Sequence, residues 1–327
     1  MPRRLPEPLR LFHLVQSTRL SLATRLNALA ELGHYLDNCF CLLSTQANVI
    51  PANFTTQDAV ALLEQAHEVM QHQLLPLLQR RYANVIAVDD LTAAQLAWLT
   101  HYFEQRIYPL LTPLAVDPAH PFPRIAPKQL YFLVTLRTVG HPSRGYNAVD
   151  GTHHSVLAPG LSHVQSNRNG WITPAFWGHP YLLHAEREVY GLLNLAAIKA
   201  RWITLPRTLL TKPRARKYVL WREEVIRYFM PSLFIGMEVT GIYQFRVLCL
   251  DRPDAVSLEE QPNGIKGRKV PRKQMPVVHI AIEQGMPTHL TQWLAEHLQT
   301  TPECISQLPP PLDITELQQL VQPDSNQ

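Results

Sequence analysis

The chain has 327 residues, of which 46% are hydrophobic and 17% are charged, and its formal net charge is +4 at pH 7. This balance excludes wholesale disorder, and the length suits two domains of ordinary size. The small net charge does not indicate a general nucleic-acid-binding protein. No apolar run approaches the roughly 18 residues of a membrane-spanning helix, and the proline-rich N-terminus does not fit a secretory signal. We therefore expect a soluble, cytoplasmic protein.

Three amphipathic helices are predicted near the N-terminus, where apolar residues recur at spacings of three and four. They cover residues 18–43, 55–82 and 91–111. The second and third begin with polar pairs spaced for a capping box, Thr55 with Asp58 and Thr92 with Gln95. Pro76 is expected to kink the second helix. Short connections predict an antiparallel helical bundle over residues 1–108.

From residue 109 the pattern changes from helical to mostly strand-like. Five prolines between 109 and 123 disfavour a helix, which places a domain boundary there. Runs rich in β-branched and aromatic residues predict strands, and two amphipathic segments predict helices. The strands cover residues 129–137, 200–206, 217–221, 239–250 and 276–283, and the helices cover 221–234 and 287–299.

Residues 109–327 are accordingly predicted to form an α+β domain with a mixed or antiparallel sheet. The stretch from about 138 to 198 is rich in Gly, Pro, Ser and His, and we expect it to be an irregular, partly ordered insertion that leaves the sheet.

Standard catalytic and metal-binding motifs are absent from the sequence. The fifteen histidines include no H-E-x-x-H pairing, and no glycine-rich phosphate loop or serine nucleophile elbow occurs. The loop "DPAHPFPR" carries Asp117, His120 and Arg124, but no nucleophile or metal partner lies nearby in sequence. We interpret it as a stiff linker.

Two basic clusters are the candidate sites for a polyanion, because arginine offers a fork that matches phosphate oxygens. They consist of Lys212, Arg214, Arg216 and Lys217, and of Lys266, Arg268, Lys269, Arg272 and Lys273. The alternative is that both are solvated loops between strands, which is the commoner outcome for charge runs.

Three segments, taken in order, resemble one enzyme family. "RLNALAELGHYLDNCF" resembles a motif of the form R-L-x-F-L-x-x-x-S-N-L-D-E-F-F, matched by Arg25, Leu26, Leu29, Leu36, Asp37 and Phe40. "YFEQRIYPLLTPLAVDPAHPFPRI" resembles a junction between a helical bundle and a head domain, and "YVLWREEVIRYFMPSLFIGMEVTGIYQFRV" resembles a head-domain segment. The family is that of the large, ATP-dependent, histidine-phosphorylating polyphosphate kinases.

The resemblance implies an N-terminal helical domain followed by a PX-like head, or middle, domain. It places Tyr35 at the position of a family asparagine that contacts the nucleotide; a tyrosine can still stack on a base. The family has an acidic residue at the neighbouring position, where this chain has Asn38. ATP and magnesium are implied only by the family. The implied partners are a second copy bound through the head domain or a separate catalytic half, and the implied ligand of the two basic clusters is polyphosphate.

The sequence also departs from the family in ways that affect activity. The catalytic domains that carry the phosphorylated histidine of the family are not found in this sequence. The segment before the first predicted helix, residues 1–17, is short and interrupted by prolines, so the family's opening helix is predicted to be missing. We therefore expect a polyphosphate kinase-like protein without catalytic residues of its own, inactive when alone. The alternatives are a free-standing binding or assembly module and a decayed remnant.

Overall fold

The protein is described by a computed structural model that covers residues 7–42, 54–116, 122–138, 188–210, 216–249 and 277–321. The chain forms two compact units. The first comprises residues 1–82, 122–131 and 244–327, and the second comprises 83–121 and 132–243. Neither unit is one continuous stretch of sequence. The boundary predicted at 108/109 divides the sequence in a different way, and it stays a prediction.

Among its described residues, the first unit begins with four helices. They are α1 (Glu7–Gln16), α2 (Leu22–Leu42), α3 (Thr56–Val69) and α4 (Leu75–Arg81). Of these, α2 confirms the helix predicted at 18–43, and α3 and α4 together confirm the one predicted at 55–82. The predicted capping box of Thr55 and Asp58 is present at α3. A π-helical turn, Met70–Leu74, interrupts the helix immediately before Pro76 is reached in α4.

The prediction that the opening helix is missing is wrong, because α1 occupies Glu7–Gln16. Pro8 lies in its first turn, where a backbone donor is not needed, so the proline does not break the helix. Leu11, Phe12 and Val15 are buried. The proline-rich appearance of the N-terminus therefore concealed an ordinary amphipathic helix.

The helical bundle consists of α1, α2 and α3, with the leucine stripe of α2 in its core. The third predicted helix was expected to complete this bundle, but it belongs to the second unit as α5 (Ala93–Tyr102). Its capping box of Thr92 and Gln95 is confirmed. The π-helical turn that follows carries Phe103, whose ring stacks on that of Phe229, with 4.3 Å between centroids. The aromatic side chain at the end of this helix therefore packs on Phe229 of the second unit.

Nine strands and two further helices complete the described residues. The strands are β1 (Ala83–Val85), β2 (Pro113–Val116), β3 (Leu130–Thr138), β4 (Glu188–Asn194), β5 (Trp202–Thr204), β6 (Lys217–Trp221), β7 (Met237–Cys249), β8 (Val277–Glu283) and β9 (Ile305–Leu308). The helices are α6 (Arg222–Leu233) and α7 (Thr288–His297). All five predicted strands and both predicted helices are present.

The strands that the sequence did not predict are β1, β2, β4 and β9. Strand β4 lies inside the stretch expected to be irregular and only partly ordered, and residues 188–194 are an ordered part of it. Strand β4 is stabilised by antiparallel pairing with β2, which is remote in sequence. Residues 139–187 lie outside the described residues.

The sheets are mixed, and with the helices they confirm the α+β class. The smaller sheet has the order β1-β6-β5, with β1 parallel and β5 antiparallel to β6. In the second unit the larger sheet runs β2-β4-β3-β7. In the first unit the last part of β7 pairs antiparallel with β8, which pairs in parallel with β9. Among the described helices, none has the length and apolar character to cross a membrane.

Gly191 in β4 marks a close approach that a larger side chain should disrupt. A Cβ atom there would lie 2.8 Å from the ring of Phe234, which is buried. We expect Gly191→Ala to lower the free energy of unfolding by about 1–3 kcal/mol, because the ring is enclosed and must shift. Urea unfolding measures the loss. Adding Phe234→Leu should make the combined loss smaller than the sum of the single losses; strict additivity would contradict the predicted clash.

Candidate functional site

A buried ion pair joins two of the segments that carry the family resemblance. Asp37 lies on α2 and Arg246 lies on β7, and both are less than a tenth exposed. The guanidinium binds the carboxylate through two bonds, Nη1 to Oδ1 at 2.7 Å and Nη2 to Oδ2 at 2.5 Å. This forked geometry is the strongest form of a charged hydrogen-bonded pair. The pair fixes α2 against β7 within the first unit.

Lys128 is held next to this pair by its backbone and by its side chain. Its N–H donates to the carbonyl of Val247 at 2.8 Å, and its own carbonyl accepts from Nε of Arg246 at 3.2 Å. Its Nζ donates to Oδ1 of Asn38 at 3.0 Å. We call Asp37, Asn38, Lys128 and Arg246 the α2–β7 polar cluster. It contains two cations and one carboxylate, so its net charge is positive.

Tyr35 lies one turn before Asn38 on the same face of α2, since residues three apart are neighbours on a helix. Its side chain is half-buried. Burial, followed by the neighbouring Cys39 thiol, raises the pKa of Tyr35 to about 12, and burial raises the pKa of Cys39 to about 11. Both groups therefore keep their protons at neutral pH. The tyrosine ring is neutral and lies one helical turn before Asn38, and its hydroxyl is hydrogen-bonded to the thiol of Cys39.

Arg25, the first residue of the first resembling segment, has a structural role. Its Nε donates to the carbonyl of Val15 at 2.7 Å, and its Nη2 donates to Oε1 of Gln73 at 2.7 Å. The side chain is almost fully buried. Arg25 thus connects the last turn of α1 and the π-helical turn to α2, and it stabilises the helices that carry Tyr35.

The structure places only some of the predicted site residues. Tyr35 lies one turn of α2 before Asn38 of the α2–β7 polar cluster, and Arg124 is exposed in the first unit. In the second unit Arg216 is exposed just before β6, and Lys217 is the first residue of β6. The remaining ones lie outside the described residues: Lys212, Arg214, Lys266, Arg268, Lys269, Arg272, Lys273, Asp117 and His120. The polyanion-binding clusters and the linker interpretation therefore stay predictions. In the part of the chain that is described, no group of three or more His, Cys, Asp or Glu side chains could hold a metal ion.

Sequence reasoning missed the roles of Lys128 and Arg246. Arg246 stood in a quoted segment, but its partner on α2 is 209 positions away. One signal could have identified the pair, because an arginine inside an apolar strand run and an aspartate inside an apolar helix run both need a buried partner of opposite charge. Lys128 carried no comparable signal.

Comparison with known proteins decides the family. The sequence profile described as "Polyphosphate kinase middle domain" matches residues 94–154 and 182–320, which is more than half of the chain. This chain belongs to the polyphosphate kinase family. The profile leaves out residues 155–181, within the stretch that was predicted to be an insertion.

Polyphosphate kinases from several bacteria match most of the chain at modest identity. The enzyme of Thermosynechococcus vestitus is 27% identical over 251 residues, covering 74% of this chain and 27% of that protein. The enzyme of Pseudomonas syringae pv. tomato is 24% identical over 269 residues, covering 81% of this chain and 30% of that protein. The chain thus spans less than a third of the length of these relatives.

The crystal structure of polyphosphate kinase from Porphyromonas gingivalis shares the fold. The TM-score is 0.64, the identity is 16%, and the match covers 98% of this chain and 40% of that one. The α+β architecture deduced from the sequence is therefore one that a solved polyphosphate kinase also has.

Removing one partner of the Asp37–Arg246 pair should cost much more stability than removing both. Asp37→Ala leaves a buried guanidinium without its carboxylate and should lower the free energy of unfolding by about 3–5 kcal/mol. Arg246→Met is the second single variant and leaves the buried carboxylate of Asp37 unpaired. The double variant Asp37→Ala/Arg246→Met buries no charge and should lose less than the two single variants combined. Urea unfolding of all four proteins measures the coupling. Additive losses would show that the pair does not act directly.

His279 on β8 should make stability fall in mild acid. It is 1% exposed, and burial lowers its pKa from 6.5 to about 4. Above pH 6.5 the folded and unfolded chains both carry the neutral ring. Between pH 6.5 and 4 the unfolded chain binds a proton that the folded chain excludes, so stability falls by up to roughly 3 kcal/mol.

His279→Leu should reduce this dependence, measured as the difference in free energy of unfolding between pH 7 and 5. Burial also lowers the pKa of His67, so part of the slope should remain. The exposed His101, changed to Gln, is the control and should keep the full slope. If His279→Leu shows the same difference in free energy of unfolding between pH 7 and 5 as the wild type, His279 is not a source of the pH dependence.

Proposed function

We propose that this chain forms the nucleotide-binding part of a polyphosphate-synthesising assembly and that it binds ATP on the face of α2 that carries Tyr35. The observation that carries the proposal is the buried Asp37–Arg246 pair, which holds a net positive polar cluster one turn of α2 from the aromatic side chain of Tyr35. Membership of the polyphosphate kinase family supports the choice of ligand.

The chemistry of the site suits a nucleotide. A base needs an aromatic surface, which the Tyr35 ring provides, and amide groups such as that of Asn38 can bond its edge. Phosphates need cations, and the cluster has an excess of positive charge. Mg²⁺ would accompany ATP as the counter-ion of its phosphates.

Phosphoryl transfer further requires a nucleophile and groups that neutralise the developing charge. We propose that these come from a phosphohistidine-bearing module of the family type, with which this chain assembles in the cytoplasm, and that the middle domain mediates association between copies. The family resemblance is the support for these partners. The basic clusters at 212–217 and 266–273 are the proposed contacts for the polyphosphate chain.

Tyr35→Ala should weaken ATP binding about tenfold, because base stacking on an aromatic side chain contributes about 1–3 kcal/mol. Tyr35→Phe keeps the ring and should bind nearly as well as the wild type. Tyr228→Ala removes a 40%-exposed tyrosine from α6 and is the matched control. Isothermal titration calorimetry with MgATP measures the affinities. Equal affinity in Tyr35→Ala and Tyr35→Phe would refute the stacking role, and a folded wild type that does not bind MgATP would refute the proposed function.

A further inference from the structure

Lys128 has a backbone conformation that its side chain disfavours. Its φ is +62°, in the left-handed region, and among the described residues the only other non-glycine with a positive φ is Gln299. Gln299 follows the end of α7, where a left-handed residue is common. Lys128 lies instead in a turn between Pro127 and β3. Glycine or asparagine is the usual residue for such a turn position, because a lysine Cβ crowds the backbone.

The surroundings hold Lys128 in this conformation. Its N–H and its carbonyl are both bonded, to the carbonyl of Val247 and to Nε of Arg246, and Asp37 in turn clamps Arg246. Strained residues held by their surroundings are concentrated at ligand-binding and catalytic sites. The clamp therefore places one particular side chain, an ammonium group, on the face of α2.

The charges near this ammonium favour an anion. Asp37 is neutralised by Arg246, and Glu7 of α1, which is close enough to act on Tyr35, is paired with Arg10. The ammonium donates one bond to Oδ1 of Asn38, and an ammonium has three donors in all. The positive charge of Lys128 is thus the excess charge of the α2–β7 polar cluster.

We propose that Lys128 binds a phosphate group of the ligand whose base lies on Tyr35. This inference rests on the proposed function, since it concerns the same site, and it makes Lys128 a binding residue whose position is set by the Asp37–Arg246 pair. The recognised chemistry is a phosphate oxygen, which can come from a nucleotide or from an inorganic polyphosphate.

The test compares Lys128→Gly, Lys128→Gln and the control Lys199→Gln, which removes a lysine charge from an exposed site in the second unit. The full chain is titrated with MgATP, with adenosine and with inorganic tripolyphosphate. Both Lys128 variants should bind MgATP and tripolyphosphate about tenfold more weakly, because they lose a charged hydrogen bond. Adenosine binding should not change. The Lys199 variant should behave as the wild type.

The glycine variant adds a second readout that a purely structural lysine would not give. Glycine relieves the strained φ, so Lys128→Gly should not lower the melting temperature although it weakens phosphate binding. A lower melting temperature combined with unchanged tripolyphosphate affinity would overturn the inference and leave Lys128 a structural residue.

The ligand series separates this inference from the proposed function. If Tyr35→Ala weakens binding of adenosine and MgATP while both Lys128 variants bind phosphate ligands as the wild type does, only the Lys128 inference fails. If tripolyphosphate binding depends on Lys128 but adenosine does not bind and MgATP binds no better than tripolyphosphate, the nucleotide function fails and the Lys128 inference stands.

Discussion

The buried contact between Asp37 and Arg246 is the interaction on which the rest of the site depends. Two opposite charges taken out of water are tolerated only when their geometry is good and their other hydrogen bonds are made, and a single unpaired one is very costly. Here the carboxylate accepts two bonds from the guanidinium, which also reaches the carbonyl of Lys128. These bonds therefore fix α2, β7 and the turn at Lys128 relative to one another.

That arrangement connects the stability of the first unit to the proposed binding surface. The turn at Lys128 is positioned by β7, and its ammonium reaches Asn38 on α2, one turn from Tyr35. Buried Arg25 stabilises the same helices from the side of α1 and the π-helical turn. Sites supported in this way by regular elements are positioned more accurately than sites on unsupported loops. The exposed face of α2 is accordingly a well-fixed surface for the proposed ligand.

The family determines the fold of this chain, but it does not determine which side chain stands at position 35. The relatives share about a quarter of the aligned residues, and the solved enzyme from Porphyromonas gingivalis shares the architecture at 16% identity. The resemblance puts Tyr35 where the family has an asparagine, so a base here would be stacked rather than bonded by a side-chain amide at that position. The fold is thus shared with a solved member of the family, whereas the base recognition proposed for this chain differs.

Local patterns in the sequence were sufficient for much of the secondary structure. Leucine spacing determined α2, the polar pairs at Thr55 and Thr92 determined where α3 and α5 begin, and apolar β-branched runs determined five strands. These features depend on residues a few positions apart. Helix α1 was not predicted, because a proline that is tolerated in the first turn of a helix has the appearance of a helix breaker in the sequence.

Tertiary structure decided what depends on distant parts of the chain. Strand β4 exists because β2 pairs with it, and the helix expected in the bundle packs in the second unit because Phe103 meets Phe229. The sequence by itself determined the family and the position of Tyr35. Only the fold brought Asp37 to Arg246 and forced Lys128 to a positive φ, because a buried pair and a strained turn require contacts between segments that no local pattern connects.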